Sequence, residues 1–131
     1  MELDWQAMRA SAGPFPPQAF AFVQEGLRYT VESIRSHEPE LPEHGRHVSG
    51  QELCIGLRDY AISQYGLLAR TVLERWHVRK TEDFGRIVFA MVEAGFMRKT
   101  DEDSFEDFKG VFEFDECFEN VETPAPAAGG A

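Results

Sequence analysis

Two stretches of this sequence hold the residue types that could do chemistry: three histidines in one and a run of carboxylates in the other. His37, His44 and His47 are spread through SHEPELPEHGRHV together with three glutamates, and both residue types bind metals. Zinc sites hold their ligands in a fixed tetrahedral shell, and their strong signatures pair the ligands at closer spacing. The stretch is therefore interpreted as a solvated linker, with metal binding by the histidines as the open alternative.

The acidic stretch DEDSFED places carboxylates at Asp101, Glu102 and Asp103 but lacks the glycine and terminal glutamate of an EF-hand loop. A specific calcium site is therefore not expected there. The sequence also contains no phosphate-binding glycine loop, no HExxH zinc pair and no GxSxG nucleophile elbow. It thus assigns no catalytic residue, no metal ligand and no cofactor, and an enzymatic function has no positive support.

Charge is distributed unevenly along the 131 residues, whose formal net charge is -10. Residues 1–80 carry nine Lys and Arg against ten Asp and Glu (9 - 10 = -1), and residues 81–131 carry four against thirteen (4 - 13 = -9). A phosphate backbone attracts Lys and Arg and repels acids, so nucleic acid is an unexpected partner for this half. An acidic block is most often a solvated surface.

Length and a hydrophobic fraction of 43% predict one globular domain with a single core. Cys54 and Cys117 have no CxxC spacing, so a reducing cytoplasm fits better than a disulfide framework. The first residues lack a signal pattern, and no apolar run approaches the ~20 residues that span a bilayer. We therefore expect a cytoplasmic protein without a membrane partner.

Four main helices are predicted to position these residues. The first follows SAGPFPP and has two apolar sides, so it is either covered twice or meets a partner on one side. The second runs from Ser49, which forms a capping box with Glu52, to Tyr65. The third covers LLARTVLERWHV, and the fourth is capped by Thr81 and stopped by Gly95.

After the fourth helix, FMRKT and GVFEF predict two strands, because Phe112 and Phe114 alternate with acids at period two. Ser104 is predicted to cap one turn that tucks Phe105 and Phe108 under this ribbon. The expected fold class is α+β and mostly α, with four main helices and a C-terminal two-stranded β-ribbon, and it is winged-helix-like by analogy. Residues 1–121 form the domain (1–48 N-terminal helix and linker, 49–118 winged-helix-like core), and 122–131 form a disordered tail.

Three glycines, Gly26, Gly56 and Gly85, occupy helix interiors, where each costs ~1 kcal/mol relative to alanine. They predict close backbone packing where helices cross. The open alternative is that they form the floor of a ligand pocket.

Three segments carry a resemblance to a known family: FVQEGLRYTVE, HVSGQELCIGLRDYAISQYGLLARTVLERW, and TEDFGRIVFAMVEAG followed by RKTDEDSFEDF. Together they resemble a family of small uncharacterised proteins associated with planctomycetes and verrucomicrobia, over residues 20–118. The resemblance implies a bacterial protein. It brings no activity, cofactor or site residue.

In a winged helix the fourth helix would lie in the major groove. Its predicted outward face is Glu82, Arg86, Phe89, Ala90 and Glu93. Only the arginine in this set is of a type that reads base edges. An exposed Phe89 beside Ala90 suits a protein contact better, with cover by the N-terminal segment as the alternative.

The leading hypothesis is a non-enzymatic protein-interaction or regulatory domain with an acidic C-terminal surface, whose partner is a basic protein or a second copy of the chain. Its candidate contact residues are Arg86, Phe89, Ala90, Glu93, Asp101, Glu102 and Asp103. One alternative is a winged-helix DNA-binding regulator that uses the basic cluster Arg70, Arg75, Arg79 and Lys80. The other alternative is a small-ligand binder or enzyme with an unrecognised pocket.

Overall fold

A computed structural model describes residues 5–37, 48–98 and 103–118. Within these ranges the chain forms six α-helices: α1 (Trp5–Ala12), α2 (Pro17–His37), α3 (Gly50–Tyr65), α4 (Ala69–Arg75), α5 (Thr81–Ala94) and α6 (Phe114–Phe118). Two short 3-10 turns, Gly66–Leu68 and Phe105–Phe108, lie between α3 and α4 and between α5 and α6. None of the described helices is both long and apolar enough to cross a membrane.

Helix α3 has the predicted bounds and the predicted cap. The hydroxyl of Ser49 accepts a hydrogen bond from the backbone N–H of Glu52 at 3.1 Å, and the Glu52 carboxylate accepts from the Ser49 N–H at 3.0 Å. These two bonds satisfy donors that have no partner within the first helical turn. At the other end the helix stops at Tyr65, and Gly66 follows with a φ of 55°.

The core lies around α3, which contacts α2, α4, α5 and both 3-10 turns. Phe20 of α2, Leu57 of α3, Leu73 of α4, and Phe84 and Ile87 of α5 are each fully buried. Complete burial of one such side chain contributes about 1.5–3 kcal/mol relative to leaving it exposed. The N-terminal segment is part of this core, because α2 packs on α3 and α1 packs on α5.

Helices α2 and α3 cross at two glycines. A methyl group added at Gly26 would overlap the Leu57 side chain, and one added at Gly56 would lie 2.8 Å from Thr30 Cβ. Thr30 is buried, and its hydroxyl donates to the Gly26 carbonyl at 2.7 Å. The prediction of close backbone packing at helix crossings is therefore confirmed for this pair.

The third interior glycine also marks a close approach. A methyl group at Gly85 would lie 2.9 Å from Phe108 Cβ, on the 3-10 turn that follows α5. The predicted cap of that turn is confirmed, because the Ser104 hydroxyl accepts from the Glu106 N–H at 3.0 Å. The phenylalanine ring thus packs on α5 itself and not under a ribbon.

Thr81 does not cap α5, contrary to the prediction. It is the first residue of the helix, and its hydroxyl donates to the Phe108 carbonyl at 2.6 Å and accepts from the Val111 N–H at 3.2 Å. Capping falls to the buried carboxylate of Asp83, which accepts from the two backbone N–H groups that precede Thr81, at 2.9 and 3.3 Å. Thr81 therefore ties the C-terminal segment to α5.

The predicted β-ribbon is wrong: the described residues contain no strand. Its first segment begins after Gly95, which ends α5 as predicted with a φ of 89°. The N–H groups of Phe96 and Met97 then donate back to the Met91 carbonyl, at 2.8 and 3.2 Å. These donors close the helix end, so they are not available to a strand ladder. Residues 99 and 100 lie outside the described residues.

The second predicted strand ends in α6 instead. Phe114 and Phe118, four residues apart, lie with ring centroids 5.0 Å apart, and Phe112 stacks on Phe114 at 5.6 Å. Phe114 also lies 6.2 Å from Phe84 of α5. Packing of these rings requires Phe114 and Phe118 to lie one helical turn apart, so the segment forms a helix and not a strand. The described part of the chain is therefore all-α and not winged-helix-like. The predicted tail, 122–131, lies outside the described residues.

Candidate functional site

The predicted contact face of α5 is largely covered. Ala90 is only 7% exposed, and Phe89 is half-buried, with its ring centroid 6.4 Å from that of Phe105 and 6.0 Å from that of Phe108. Helix α1 packs along α5 as well. The predicted exposure of Phe89 and Ala90 is therefore wrong, because the turn that follows α5 folds back over Phe89.

Arg86 and Glu93, the charged members of the same face, are exposed. The Arg86 guanidinium pairs with the carboxylate of Asp83, whose side chain is only 8% exposed. A buried carboxylate needs such a partner and hydrogen bonds to offset its lost hydration. Arg86 thus stabilises the start of α5, a structural role that sequence reasoning had not assigned to it.

An apolar cleft of about 210 Å³ opens beside Phe89 and is called here the Phe89 cleft. Its apolar lining comes from α2, α3, α5 and the segments next to them: Leu27, Val31, Val48, Leu53, Val88, Phe89, Met97 and Phe108. Arg98, Asp103 and Asp107 also line it. Of the predicted contact residues, the structure thus brings Phe89 and Asp103 together, while Asp101 and Glu102 lie outside the described residues.

The carboxylates that line the Phe89 cleft belong to an acidic segment, and the acidic side chains of residues 103–118 are called here the acidic surface. This segment contains six Asp and Glu and one Lys, so its formal charge is 1 - 6 = -5. Asp107 is held in place, since its carboxylate accepts from the Ser104 N–H at 3.2 Å and from the Gln51 amide at 3.5 Å. Glu106 and Asp115 are 74% and 73% exposed in their side chains.

The predicted basic cluster is divided in the structure. Arg70 is bound to Glu74 at 2.9 Å and to Asp115 of α6, and hydrogen bonds to these two carboxylates raise the pKa of its guanidinium. Arg75 ends α4, and Arg79 and Lys80 lie in the loop before α5; all three are exposed. Arg70 thus holds α6 against α4 and is engaged in that structural pairing.

The cysteines are free thiols, and Cys54 is fully buried. Burial, and to a lesser extent the charge of Glu82, raises the pKa of Cys54 to about 12. This thiol therefore stays protonated at neutral pH, and only a thiolate acts as a nucleophile or a metal ligand. The Cys54 side chain is a core residue.

The predicted histidine site is described only at His37, because His44 and His47 lie outside the described residues. His37 is exposed at the end of α2, and its Nδ1 lies 2.8 Å from the Ser33 carbonyl oxygen, which it bonds as a donor. Within residues 5–37, 48–98 and 103–118, no group of three or more His, Cys, Asp or Glu side chains is arranged to hold a metal ion.

Sequence reasoning missed a second cleft, of about 260 Å³, called here the aromatic cleft. Its lining residues come from α2, from α3 and from the end of α4: Gln18, Ala21, Phe22, Glu25, Tyr60, Tyr65 and Trp76. The four positions on α2 follow helical spacing, but those on α3 and at the end of α4 bear no periodic relation to them. The one available signal was the second apolar side of α2, to which Phe22 belongs.

Helical folds serve many unrelated functions, so the architecture alone does not identify an activity. The features open to interpretation are the Phe89 cleft, the acidic surface, the aromatic cleft and a further cleft of about 330 Å³ between α2 and α3, whose lining includes the interior glycine Gly56. Comparisons of this chain with protein-family models, with curated proteins and with solved structures find no match.

Proposed function

We propose that this chain is a non-enzymatic protein-interaction domain that binds a basic partner through the Phe89 cleft and the acidic surface. The observation that carries the proposal is the position of Asp103 and Asp107, two acids against the single described cation Arg98, in the lining of a mostly apolar cleft. Protein interfaces gain most of their affinity from a few buried anchor side chains. Charges around such an anchor steer the encounter and select the partner.

The size of the Phe89 cleft favours an anchor side chain over a drug-sized ligand. Pockets for drug-sized ligands usually measure about 300–1,000 Å³, whereas this cleft measures about 210 Å³. An apolar side chain from a partner, inserted against Val31, Val88 and Phe89, would remove apolar surface from water on both molecules.

Charge favours a basic partner over a second copy of the chain. A symmetric dimer uses the same patch on both subunits. Two copies meeting at the acidic surface would therefore place two segments of charge -5 against each other. Like charges juxtaposed in an interface cost several kcal/mol, whereas Lys or Arg on a partner would complement the exposed Glu106 and Glu113.

We expect the double variant Glu106→Gln/Glu113→Gln to associate with its partner roughly 2 to 10 times more slowly at low salt, with a weaker salt dependence. Both side chains are exposed, and the ion pair of Glu106 with Lys109 at 3.0 Å lies on the surface, where such pairs contribute little, so the substitutions remove charge and leave the fold intact. The matched control is Glu32→Gln/Asp59→Asn, which removes two exposed charges from α2 and α3.

Tagged forms of the parent protein, the double variant and the control are first purified from native cells. The proteins that co-purify with each form are then compared by quantitative mass spectrometry. A protein whose recovery falls with the double variant and not with the control is then purified for stopped-flow association at several salt concentrations. Val31→Gln, which places a neutral polar group in the Phe89 cleft, should speed dissociation of the same partner. Equal recovery with all variants would contradict the proposal.

The DNA-binding alternative leads to a separate prediction. We expect no sub-micromolar binding of generic duplex DNA at physiological salt. The three cations Arg75, Arg79 and Lys80 belong to a chain whose net charge is -10, and that charge repels the phosphate backbone. Fluorescence anisotropy with labelled duplex DNA measures this directly. Sub-micromolar binding that weakens in the Arg75→Ala/Arg79→Ala variant would instead support the DNA-binding function.

The proposal keeps the expected cytoplasmic location, which the two free thiols support.

A further inference from the structure

The aromatic cleft brings four rings together on one side of the molecule. Phe22 is the most buried of them, at 5% exposure, and its ring centroid lies 5.3 Å from Tyr60, 6.5 Å from Tyr65 and 5.5 Å from Trp76. The Tyr65 and Trp76 rings meet at 81°, with centroids 6.2 Å apart. The cleft is therefore lined by rings at different orientations, with Phe22 in contact with the other three.

A single charged group, Glu25, is found among the residues that line this cleft within the described ranges. Glu25 is exposed on α2. The pKa of the Tyr60 phenol is raised, first by burial and second by the negative charge of Glu25. The charge is thus close to the rings. The cation–π contact in the described part of the chain lies elsewhere, between Lys109 and Phe105.

We propose that the aromatic cleft binds a quaternary ammonium group. The faces of aromatic rings carry the negative part of their quadrupole, so they attract a cation, and tryptophan does so most strongly. Glu25, an exposed residue of the lining, adds a full negative charge. A site with these two features and no cation of its own in the lining is complementary to a positively charged ligand.

The chemistry of the lining favours a methylated ammonium over a primary one. A primary ammonium is strongly hydrated and needs hydrogen-bond acceptors for its three N–H groups. A quaternary ammonium has no N–H to satisfy, and its methyl groups pack against Phe22, Tyr65 and Trp76. The cleft measures about 260 Å³, which is below the range for drug-sized ligands and matches a compact head group.

The test is an NMR titration of the full chain with choline and with 3,3-dimethylbutan-1-ol, its neutral isostere in which carbon replaces the nitrogen. The Trp76 indole signal, assigned by comparison with Trp76→Phe, reports occupancy of the cleft. We expect saturable shifts with choline and affinity about two- to fivefold weaker for the neutral alcohol, the contribution of one cation–π contact. Equal affinity for the two compounds, or no saturable shift with choline, would overturn the proposal.

A variant pair tests the carboxylate. Glu25→Gln should weaken choline binding about two- to fivefold and leave the weak binding of the neutral alcohol unchanged, since it removes only the charge. Glu32→Gln, which neutralises an exposed residue two turns further along α2, should change neither. Loss of choline affinity in both variants would show unspecific attraction to the acidic protein and overturn the site.

A quaternary ammonium can be a free small molecule or the side chain of a trimethylated lysine. Free N-trimethyllysine and a short peptide containing it, titrated under the same conditions, distinguish the two sources. Tighter binding of the peptide assigns a protein-borne group, and equal or weaker binding assigns a small molecule. Because the cleft shares no lining residue with the Phe89 cleft, these results stand or fall independently of the proposed protein interaction.

Discussion

Leu57→Ala should lower the free energy of unfolding by about 2–5 kcal/mol, the range for truncating a fully buried leucine. Leu57 is 0% exposed, and one of its methyl carbons lies directly over Gly26 at the crossing of α2 and α3. The cost depends on how far neighbouring groups collapse into the space left behind. Here the glycines already bring the two helices close together, so little further approach is open to them. We therefore expect the upper part of this range.

Urea denaturation followed by circular dichroism measures the effect, with the m-value as a check that the unfolded state is unchanged. Leu67→Ala is the matched control: it makes the same chemical change at a side chain that is 56% exposed, and should cost under about 0.5 kcal/mol. Gly26→Ala should also cost less in the Leu57→Ala background, where its methyl group finds space. Similar costs for Leu57→Ala and Leu67→Ala would show that this arrangement of the core is wrong.

Gly56→Ala should destabilise the protein by about 1–3 kcal/mol, although alanine is the better helix former by ~1 kcal/mol. The new methyl carbon would lie 2.8 Å from both Cβ and Cγ2 of Thr30 and would overlap its hydroxyl oxygen. Thr30 is buried and bonded to the Gly26 carbonyl, so it has no free direction in which to turn. Steric overlap therefore outweighs helix propensity, and α2 and α3 have to separate.

Thermal unfolding of Gly56→Ala, alone and in a Thr30→Ala background, separates the two contributions. Thr30→Ala removes the hydroxyl and the γ-methyl group, so it should recover part of the loss, and the two effects should be non-additive. A rise in the melting temperature of Gly56→Ala would follow if helix propensity alone mattered. That result would contradict the close crossing of α2 and α3.

Local signals in the sequence were sufficient to predict several elements. The capping box of Ser49 and Glu52, the stop at Gly95 and the turn capped by Ser104 all depend on hydrogen bonds between residues at most four positions apart. Such bonds join residues that are close in the sequence, so they can be predicted before the fold is known. The interior glycines predicted close backbone packing, because only a close approach between helices offsets the cost of a glycine inside a helix.

Tertiary contacts decided the C-terminal segment. Phe112 and Phe114 alternate as a strand would, while Phe114 and Phe118 are spaced as in a helix, and the sequence alone does not choose between these patterns. The choice follows from the docking of Phe114 on Phe84 of α5, thirty positions earlier in the chain. The predicted cap at Thr81 failed for the same reason. Its hydroxyl donates to the Phe108 carbonyl, 27 residues away, and does not cap the start of α5.

Sequence by itself determined the four main helices, the caps at Ser49 and Ser104, the stop at Gly95 and the acidic character of the C-terminal half. It also named Phe89 and Asp103, but as parts of an exposed face and a ribbon loop and not as two sides of one cleft. The aromatic cleft was beyond its reach, because Phe22, Tyr60 and Trp76 share no period and meet only after α2, α3 and α4 have packed. Hydrogen bonds and periodicity act within a few turns, whereas the meeting of distant side chains depends on how helices cross to bury their apolar surface.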